Sequence, residues 1–144
     1  MKSLFQLWQV WAVLSAVFAA ATAILAKVGV EAIGSDLATL VRTAVVLAFA
    51  ALIVAVGDGF GEISTVPGRT WLFLILSGFA TGASWLCYFR ALKLGDAARV
   101  APVDKLSVVL VAIFAVLFLG ERLSPQGTVG VALIATGAML VAWQ

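Results

Sequence analysis

Long apolar runs alternate with short polar connections along the whole chain. A bilayer core of about 30 Å is crossed by ~20 helical residues, because each residue advances a helix by about 1.5 Å. Five runs reach that length, and they predict transmembrane helices over residues 8–26, 37–56, 70–89, 101–120 and 125–143. The pattern therefore predicts an all-α integral membrane protein, with one domain over residues 1–144.

The connections carry residues that start and stop helices. Residues 34–36 (Gly-Ser-Asp) offer N-caps for the second helix, and residues 57–59 (Gly-Asp-Gly) predict a turn after it. Pro102 and Pro125 predict helix starts, because proline is tolerated in the first turn of a helix.

The composition supports the same class of protein. Apolar residues make up 64% of the 144 residues and charged residues 11%, and the mean hydropathy is +1.17. A soluble domain has about 45–50% apolar and about 25% charged residues. So few charged side chains could not cover a water-facing surface, which excludes a soluble enzyme, a disordered chain and a secreted disulfide scaffold.

Residues that usually carry enzymatic chemistry are scarce. The chain has no histidine, and its single cysteine, Cys87, cannot form an internal disulfide. The sequence shows no catalytic triad and no nucleotide-binding loop, and its net charge is only +2. We therefore predict no enzyme activity, no catalytic residue, no metal site, no cofactor and no nucleic-acid partner.

Five helices place the two termini on opposite sides of the membrane. Face A holds the N-terminus with the second and fourth loops, and face B holds the other two loops and the C-terminus. The loops give three basic residues to face A and four to face B: Lys2, Arg69 and Arg122 against Lys27, Arg90, Lys93 and Arg99. The positive-inside rule places face B in the cytoplasm, by a small difference. Two interpretations stay open: a dual topology with an antiparallel homodimer, and a single topology with a monomer or parallel dimer.

The second half of the chain carries short motifs in a specific order. They are Ala91-Leu92 through Gly95, the Arg99-Val100-Ala101-Pro102 stretch, and residues 120–124 (Gly-Glu-Arg-Leu-Ser) between the last two spans. In this order the chain resembles the EamA domain of the drug/metabolite transporter superfamily. The first half agrees, with a tryptophan-led first helix that ends at Lys27, and the resemblance covers essentially all 144 residues.

The resemblance implies a fold and a function. Most members of that superfamily hold two five-helix units of opposite orientation, so this chain resembles a half-transporter that pairs, most simply as an antiparallel homodimer. It implies alternating-access transport of small organic metabolites or drugs, and helical spans favour the inner (plasma) membrane, because outer membranes hold barrels. Related four-helix exporters couple transport to protons through a glutamate in their first helix. Residues 8–26 contain no carboxylate, so that coupling is not carried over.

Arg42 lies inside the second predicted span, where a charge costs about 2.5–3.5 kcal/mol on insertion scales. One interpretation is that its side chain snorkels to the interface. The other is that it faces a water-filled mouth, where it binds an anionic group of the substrate or pairs with Asp104.

Asp104 and Lys105 lie near the start of the predicted fourth helix. Asp104 either caps the first turn, where a carboxylate suits the helix dipole, or belongs to a substrate site. Lys105 is expected to point about 100° away around the helix, so it cannot simply pair with Asp104 and must find headgroups, water or another helix. Lys27, Arg42, Asp104 and Lys105 all lie toward face B. An antiparallel dimer would place one copy of this set at each mouth of a central cavity.

The predicted third helix carries a polar stripe. Ser77, Thr81, Ser84 and Tyr88 share one face at helical spacing, and Trp85 flanks them. The stripe could line a substrate path with hydroxyl groups and aromatic faces that hold cations or flat rings. It could instead serve helix packing, with Trp85 and Tyr88 at the membrane interface.

Glycines mark helix faces that allow close approach. Gly78 and Gly82 form a GxxxG motif on the third helix, and Gly130 and Gly137 lie on an uncharged last helix. We predict that these four glycines serve packing or dimer formation.

Two other classes of protein stay open beside the transporter. One is a non-transporting membrane subunit, whose charged residues would affect assembly of a larger complex rather than flux. The other is a subunit of a flippase for lipid-linked substrates, which would need a second chain and a lateral opening to lipid.

Overall fold

The computed structural model of the protein describes residues 7–57 and 59–143. Six α-helices and one 3-10 helix lie in those ranges: α1 (Trp8–Glu31), α2 (Ser35–Val56), the 3-10 helix (Gly59–Thr65), α3 (Gly68–Leu94), α4 (Ala97–Asp104), α5 (Leu106–Leu119) and α6 (Pro125–Ala142). The predictions that involve Lys2 and Asp58 lie outside the described residues.

Five spans among the described residues are long and apolar enough to cross a membrane, with α4 and α5 together forming one of them, Ala97–Leu119. Their mean hydropathy ranges from 1.5 to 2.4. Most of their large apolar side chains are exposed, as expected for helices that contact lipid. The described ranges contain helices and no strand. The predicted all-α, multi-pass membrane fold with five transmembrane helices is confirmed.

Two helices are longer than predicted. α1 continues past Ala26 to Glu31, and α3 runs over Gly68–Leu94 rather than 70–89. Lys27 therefore lies inside α1 instead of after it. Lysine is a good helix former, and its stem can lie along a helix while the ammonium group reaches a polar partner.

The fourth span begins earlier than predicted. α4 starts at Ala97, after the N-cap residue Asp96, so Pro102 lies inside α4 and not at its start. The alanines and the arginine that precede this proline are good helix formers, which explains the earlier start. Asp104 is the last residue of α4, and the prediction that it caps a first turn is wrong.

α4 ends shortly after its proline. The backbone N–H of Lys105 donates to the carbonyls of Ala101 and Pro102, at 3.2 Å and 3.1 Å, and α5 begins at the next residue. A proline inside a helix has no N–H to donate and crowds the preceding turn, so an irregularity in a long span is expected there. The fourth span is therefore built from two helical segments.

α2 begins two residues before its predicted start, and α6 begins at Pro125 as predicted. Gly34, one of the three residues proposed to cap α2, is its N-cap, whereas Ser35 already lies in the helix. At the start of α6, the Ser124 hydroxyl accepts a hydrogen bond from the N–H of Gly127 at 3.1 Å, with Pro125 in the first turn. The helix start predicted at Pro125 is confirmed, because it has both its cap and its proline.

Two compact units divide the chain. The central unit is Leu25–Lys93, which contains the end of α1, α2, the 3-10 helix and nearly all of α3. The terminal unit comprises the residues up to Ile24 and those from Leu94 onward, and in it α6 packs on α4 and α5. In the central unit Val30 of α1 and Leu92 of α3 are completely buried.

Candidate functional site

The central unit brings an arginine of α2 onto two aromatic rings of α3. The guanidinium carbon of Arg42 lies 4.1 Å from the centre of the Trp85 ring and 5.5 Å from the centre of the Phe89 ring. Both distances fall within the ~6 Å range of a cation–π contact. We call Arg42, Trp85 and Phe89 the Arg42 cluster.

Helix periodicity explains why α3 supplies both rings. Trp85 and Phe89 are four positions apart in the sequence, so they lie one above the other on the same side of the helix. Phe89 has only 3% of its surface exposed, and its ring meets Tyr88 edge-on, with 6.5 Å between ring centres. Burial therefore fixes the α3 side of the Arg42 cluster.

Arg42 is half-buried and lies well inside a membrane span. At about 1.5 Å per residue it is about 10 Å from Ser35, the first residue of α2. A cation–π contact away from water is worth about 2 kcal/mol, against an insertion cost of about 2.5–3.5 kcal/mol for a charge at mid-membrane. The two rings therefore offset much of the cost of placing this charge in the membrane.

The polar edge of Arg42 is accessible. Among the described residues of the central unit, no carboxylate forms an ion pair with its guanidinium group, and Tyr88 of α3 interacts with it electrostatically. The described chain also has no buried side-chain nitrogen that lacks a partner, so the guanidinium nitrogens are not enclosed. The nearby hydroxyls of Thr39 and Thr43 donate within α2, to the carbonyls of Ser35 and Thr39 at 2.9 Å and 2.8 Å. The in-plane N–H groups of Arg42 are therefore open to a partner from outside the central unit.

One residue of the polar stripe of α3, Tyr88, interacts electrostatically with Arg42 of α2. Thr81 and Ser84 are exposed and Tyr88 is half-buried, whereas Arg42 rests on Trp85 and its neighbour one turn later. The predicted roles of Thr81, Ser84 and Tyr88 in substrate binding stay predictions.

Phe89 is a member of the cluster that sequence reasoning did not single out. It closes the predicted third span, where an aromatic residue is ordinarily an interface residue. Its spacing of four residues from Trp85 was the signal that could have identified it, because that spacing places two rings on one helix face.

Lysines of α1 and α3 bind each other's C-terminal carbonyls. The ammonium group of Lys27 donates to the Leu92 carbonyl at 2.9 Å, while Lys93 donates to the carbonyls of Val30, at 3.1 Å, and Ile33. The last carbonyls of a helix lack intrahelical partners and carry partial negative charge, so a cation stabilises them. Lys27, predicted at a cavity mouth on face B, thus binds the backbone carbonyl of Leu92.

An arginine plays the same part in the terminal unit. Arg99 of α4 donates from Nη2 to the carbonyl of Ala142, the last residue of α6, at 3.1 Å. Three of the four basic loop residues that sequence analysis assigned to face B therefore bind helix ends. Only the fourth, Arg90, has no such contact among the described residues.

Lys105 and Asp104 form an ion pair in the terminal unit, with 3.3 Å between Nζ and Oδ2. The prediction that Lys105 cannot pair with Asp104 is wrong, because α4 ends at Asp104 and the flexible lysine stem folds back across the break. With 56% of the Lys105 side chain and 34% of the Asp104 side chain exposed, the pair adds little stability. Arg42 belongs to the other unit, and its pairing with Asp104 stays a prediction.

The four glycines predicted for packing face open space. A Cβ atom built at Gly78, Gly82, Gly130 or Gly137 would meet no heavy atom within 4 Å. The first two lie in a shallow groove of about 570 Å³ on α3, lined by Ile75, Gly78, Phe79, Gly82, Ala83 and Leu86. Their role in packing or dimer formation stays a prediction, and the described chain leaves room for a partner at these positions.

These observations define a class of protein. The described residues hold five membrane-spanning helices and a charged aromatic cluster at membrane depth, and no three His, Cys, Asp or Glu side chains among them could hold a metal ion together. The protein is a multi-pass membrane protein with a polar group inside one of its spans.

Comparison with known proteins identifies the family. The EamA-like transporter family matches residues 6–143. A relative from Sinorhizobium sp., described as an uncharacterized transporter in the cobO 3' region, is 66% identical over 137 residues, which are 95% of this chain and 97% of the relative. The chain belongs to the EamA-like transporter family and is a membrane transporter, which confirms the resemblance seen in the sequence. No solved structure matches it.

Proposed function

We propose that the protein moves small organic metabolites or drugs across the inner (plasma) membrane by alternating access, as an antiparallel homodimer. The observation that carries the proposal is the Arg42 cluster, which combines a charge with aromatic surface inside a membrane span. Charges at that depth are costly to insert and mark substrate or ion pathways. Membership of a transporter family supports the same function.

Several features support the pairing of two copies. Many transporters consist of two repeats of opposite orientation with the substrate site between them, and the described residues hold one set of five spans. Its loop charges of three against four basic residues are nearly balanced, which allows both orientations in the membrane. The open glycine positions, such as Gly78 and Gly82, offer surface that a second copy can approach closely.

Two antiparallel copies would present the same site toward both sides of the membrane. Each Arg42 cluster lies about 10 Å along α2 from face B, so one copy's cluster would lie nearer each side. In the terminal unit, Asp104 and Lys105, at the break in the fourth span, stay candidates for substrate binding. Alternating access would then expose the two clusters in turn.

Flux through the purified chain in liposomes tests the proposal. We expect saturable uptake of at least one solute from a panel of benzenesulfonate, benzyltrimethylammonium, leucine and glucose. Arg42→Gln, Trp85→Leu and Lys105→Gln should each lower that uptake, by about tenfold for Arg42→Gln, because a lost charge-assisted contact has that size. Arg90→Gln, a change at an exposed basic residue, is the matched control. Unchanged flux in all three variants contradicts the proposed site.

A further inference from the structure

We infer that the polar edge of Arg42 binds an oxyanion of the transported solute, so that the substrate class is small organic anions. The inference deepens the proposed transport function and rests on it. Its starting point is the geometry of the Arg42 cluster, in which the rings of Trp85 and Phe89 engage the guanidinium at 4.1 Å and 5.5 Å.

Contact with the two rings leaves the donors of the guanidinium unused. A guanidinium group carries five N–H donors that lie in its plane and point away from its edge. Carboxylates, sulfonates and phosphates match that edge with two parallel hydrogen bonds. We expect the two aromatic contacts to restrain the arginine side chain for such a partner.

The described chain supplies no anion of its own to this edge within the central unit. Asp36 accepts a hydrogen bond from the Ser35 hydroxyl at 3.1 Å in the first turn of α2, while Glu31 ends α1 and Glu62 lies in the 3-10 helix. In the terminal unit, Asp104 already has Lys105 as its ion-pair partner. A charge without a counterion at membrane depth attracts an anion strongly, because the local dielectric is low.

The same geometry disfavours organic cations. The sequence alone left open that Trp85 holds a cationic substrate. In the structure its ring already contacts Arg42, with 4.1 Å between the guanidinium carbon and the ring centre. A second cation at that ring would meet a like charge at short range in a low dielectric, which is costly. The cluster should therefore select anions over cations of similar size.

Binding in phospholipid-free maltoside micelles tests the inference without requiring transport. In a variant that keeps Trp85 as its only tryptophan (Trp8, Trp11, Trp71 and Trp143→Phe), benzenesulfonate should change the fluorescence saturably, and benzyltrimethylammonium should not. Arg42→Gln should weaken benzenesulfonate binding at least about tenfold, Arg42→Lys should weaken it less, and Arg90→Gln should leave it unchanged. Calorimetric titration of the chain with all its native tryptophans gives the same comparison if the fluorescence variant fails to fold.

Three results would overturn the inference: tighter binding of benzyltrimethylammonium than of benzenesulfonate, equal binding by Arg42→Gln, or an Arg42-dependent response only to added dioleoylphosphatidylglycerol. The last would assign the edge to a lipid headgroup.

Failures of the two proposals are distinguishable. Liposome flux of benzyltrimethylammonium that Arg42→Gln leaves unchanged would keep transport and remove the anion site. Arg42-dependent binding of benzenesulfonate with no flux of any solute would keep the anion site and remove the transport function.

Discussion

Arg42 rests on aromatic surface, and the described part of the central unit offers it no carboxylate. The Trp85 and Phe89 rings offset about 2 kcal/mol of an insertion cost of about 2.5–3.5 kcal/mol. The net free-energy contribution of the Arg42 charge is therefore near zero or mildly unfavourable. A charge that contributes little to stability is expected to serve binding. Arg42 is therefore the proposed binding group, and Trp85 and Phe89 are the rings that hold it.

Stability measurements should show that separation. We expect Arg42→Met to leave the free energy of unfolding unchanged or to raise it slightly, because it removes a membrane-embedded charge. Trp85→Leu should lower it by about 1–2 kcal/mol, through lost packing and the lost cation–π contact. Unfolding in mixed maltoside and dodecyl sulfate micelles measures both, with Trp71→Leu as the control at a tryptophan outside the cluster.

The double variant decides whether the two residues are coupled. In the Arg42→Met variant, Trp85→Leu should lower the free energy of unfolding by about 1 kcal/mol less than it does in the unmodified chain. The Arg42→Met variant has already lost the cation–π contact, so Trp85→Leu cannot remove it again. Strictly additive effects of the two substitutions would show that the contact contributes nothing to stability.

Sequence reasoning reached part of this site. Arg42 and Trp85 were identifiable because an intramembrane charge and a tryptophan beside a polar stripe are conspicuous in an apolar chain. Phe89 and the contacts of Lys27 and Lys93 were not, because periodicity tells which residues share one helix face but not which helix that face meets. Those contacts required the packing of α1 and α2 with α3.

At the scale of helices, basic side chains stabilise helix C-termini within each of the two units. Lys27 and Lys93 link α1 and α3 reciprocally, and Arg99 binds the end of α6. Basic residues that a topology rule counts only as charges thus also neutralise the partial charge of helix C-termini.

Removing either lysine should loosen this end of the central unit. Lys27→Met and Lys93→Met keep the apolar stem and remove the ammonium group, and each should lower the free energy of unfolding by about 1 kcal/mol. Thermal unfolding in maltoside measures the effect, with Arg90→Met as the control for loss of a basic residue alone. An equal destabilisation by all three variants would contradict the capping role.

Two glycines should respond to alanine in opposite directions. Gly120 ends α5 with φ 67°, so Gly120→Ala should destabilise the protein by about 1 kcal/mol, and Gly120→Asn by less. Gly29 lies inside α1 with open space around its Cβ position, so Gly29→Ala should stabilise by about 0.5–1 kcal/mol. Equal shifts in melting temperature for the two alanine variants would be inconsistent with these backbone assignments.

Helix existence was easier to predict than helix ends. The five spans follow directly from apolar length, but Pro102 was misplaced because proline is compatible both with a helix start and with a break inside a long span. The expected cap role of Asp104 and the expected separation of Lys105 from it were wrong for the same reason, since both depended on that start. An ion pair across the break could not be anticipated from a regular helix.

At the scale of the whole molecule, the open helix faces matter most. Apolar side chains pack against lipid. Open glycine positions favour a second helix instead, because the missing side chain lets another helix backbone approach closely. The groove around Gly78 and Gly82 is therefore the place where we expect a second copy to pack.

Filling that groove should weaken pairing without unfolding the chain. A Cβ atom at Gly78 or Gly82 meets no heavy atom within 4 Å, so we expect the single chain to tolerate Gly78→Leu and Gly82→Leu, whereas the dimer fraction should fall several-fold. Sedimentation in density-matched detergent measures the dimer fraction. Gly29→Leu, at an equally open position outside the groove, should leave it unchanged.

The orientation of the C-terminus tests the central claim most directly. Alkaline phosphatase, active outside the inner membrane, and green fluorescent protein, active inside, are fused in separate chains after Gln144 and expressed in a bacterial host. Nearly balanced loop charges predict that both fusions are active at comparable levels, as an antiparallel homodimer requires. Activity of one fusion alone would show a single orientation. It would contradict the homodimer and mean that the chain works with an oppositely oriented partner.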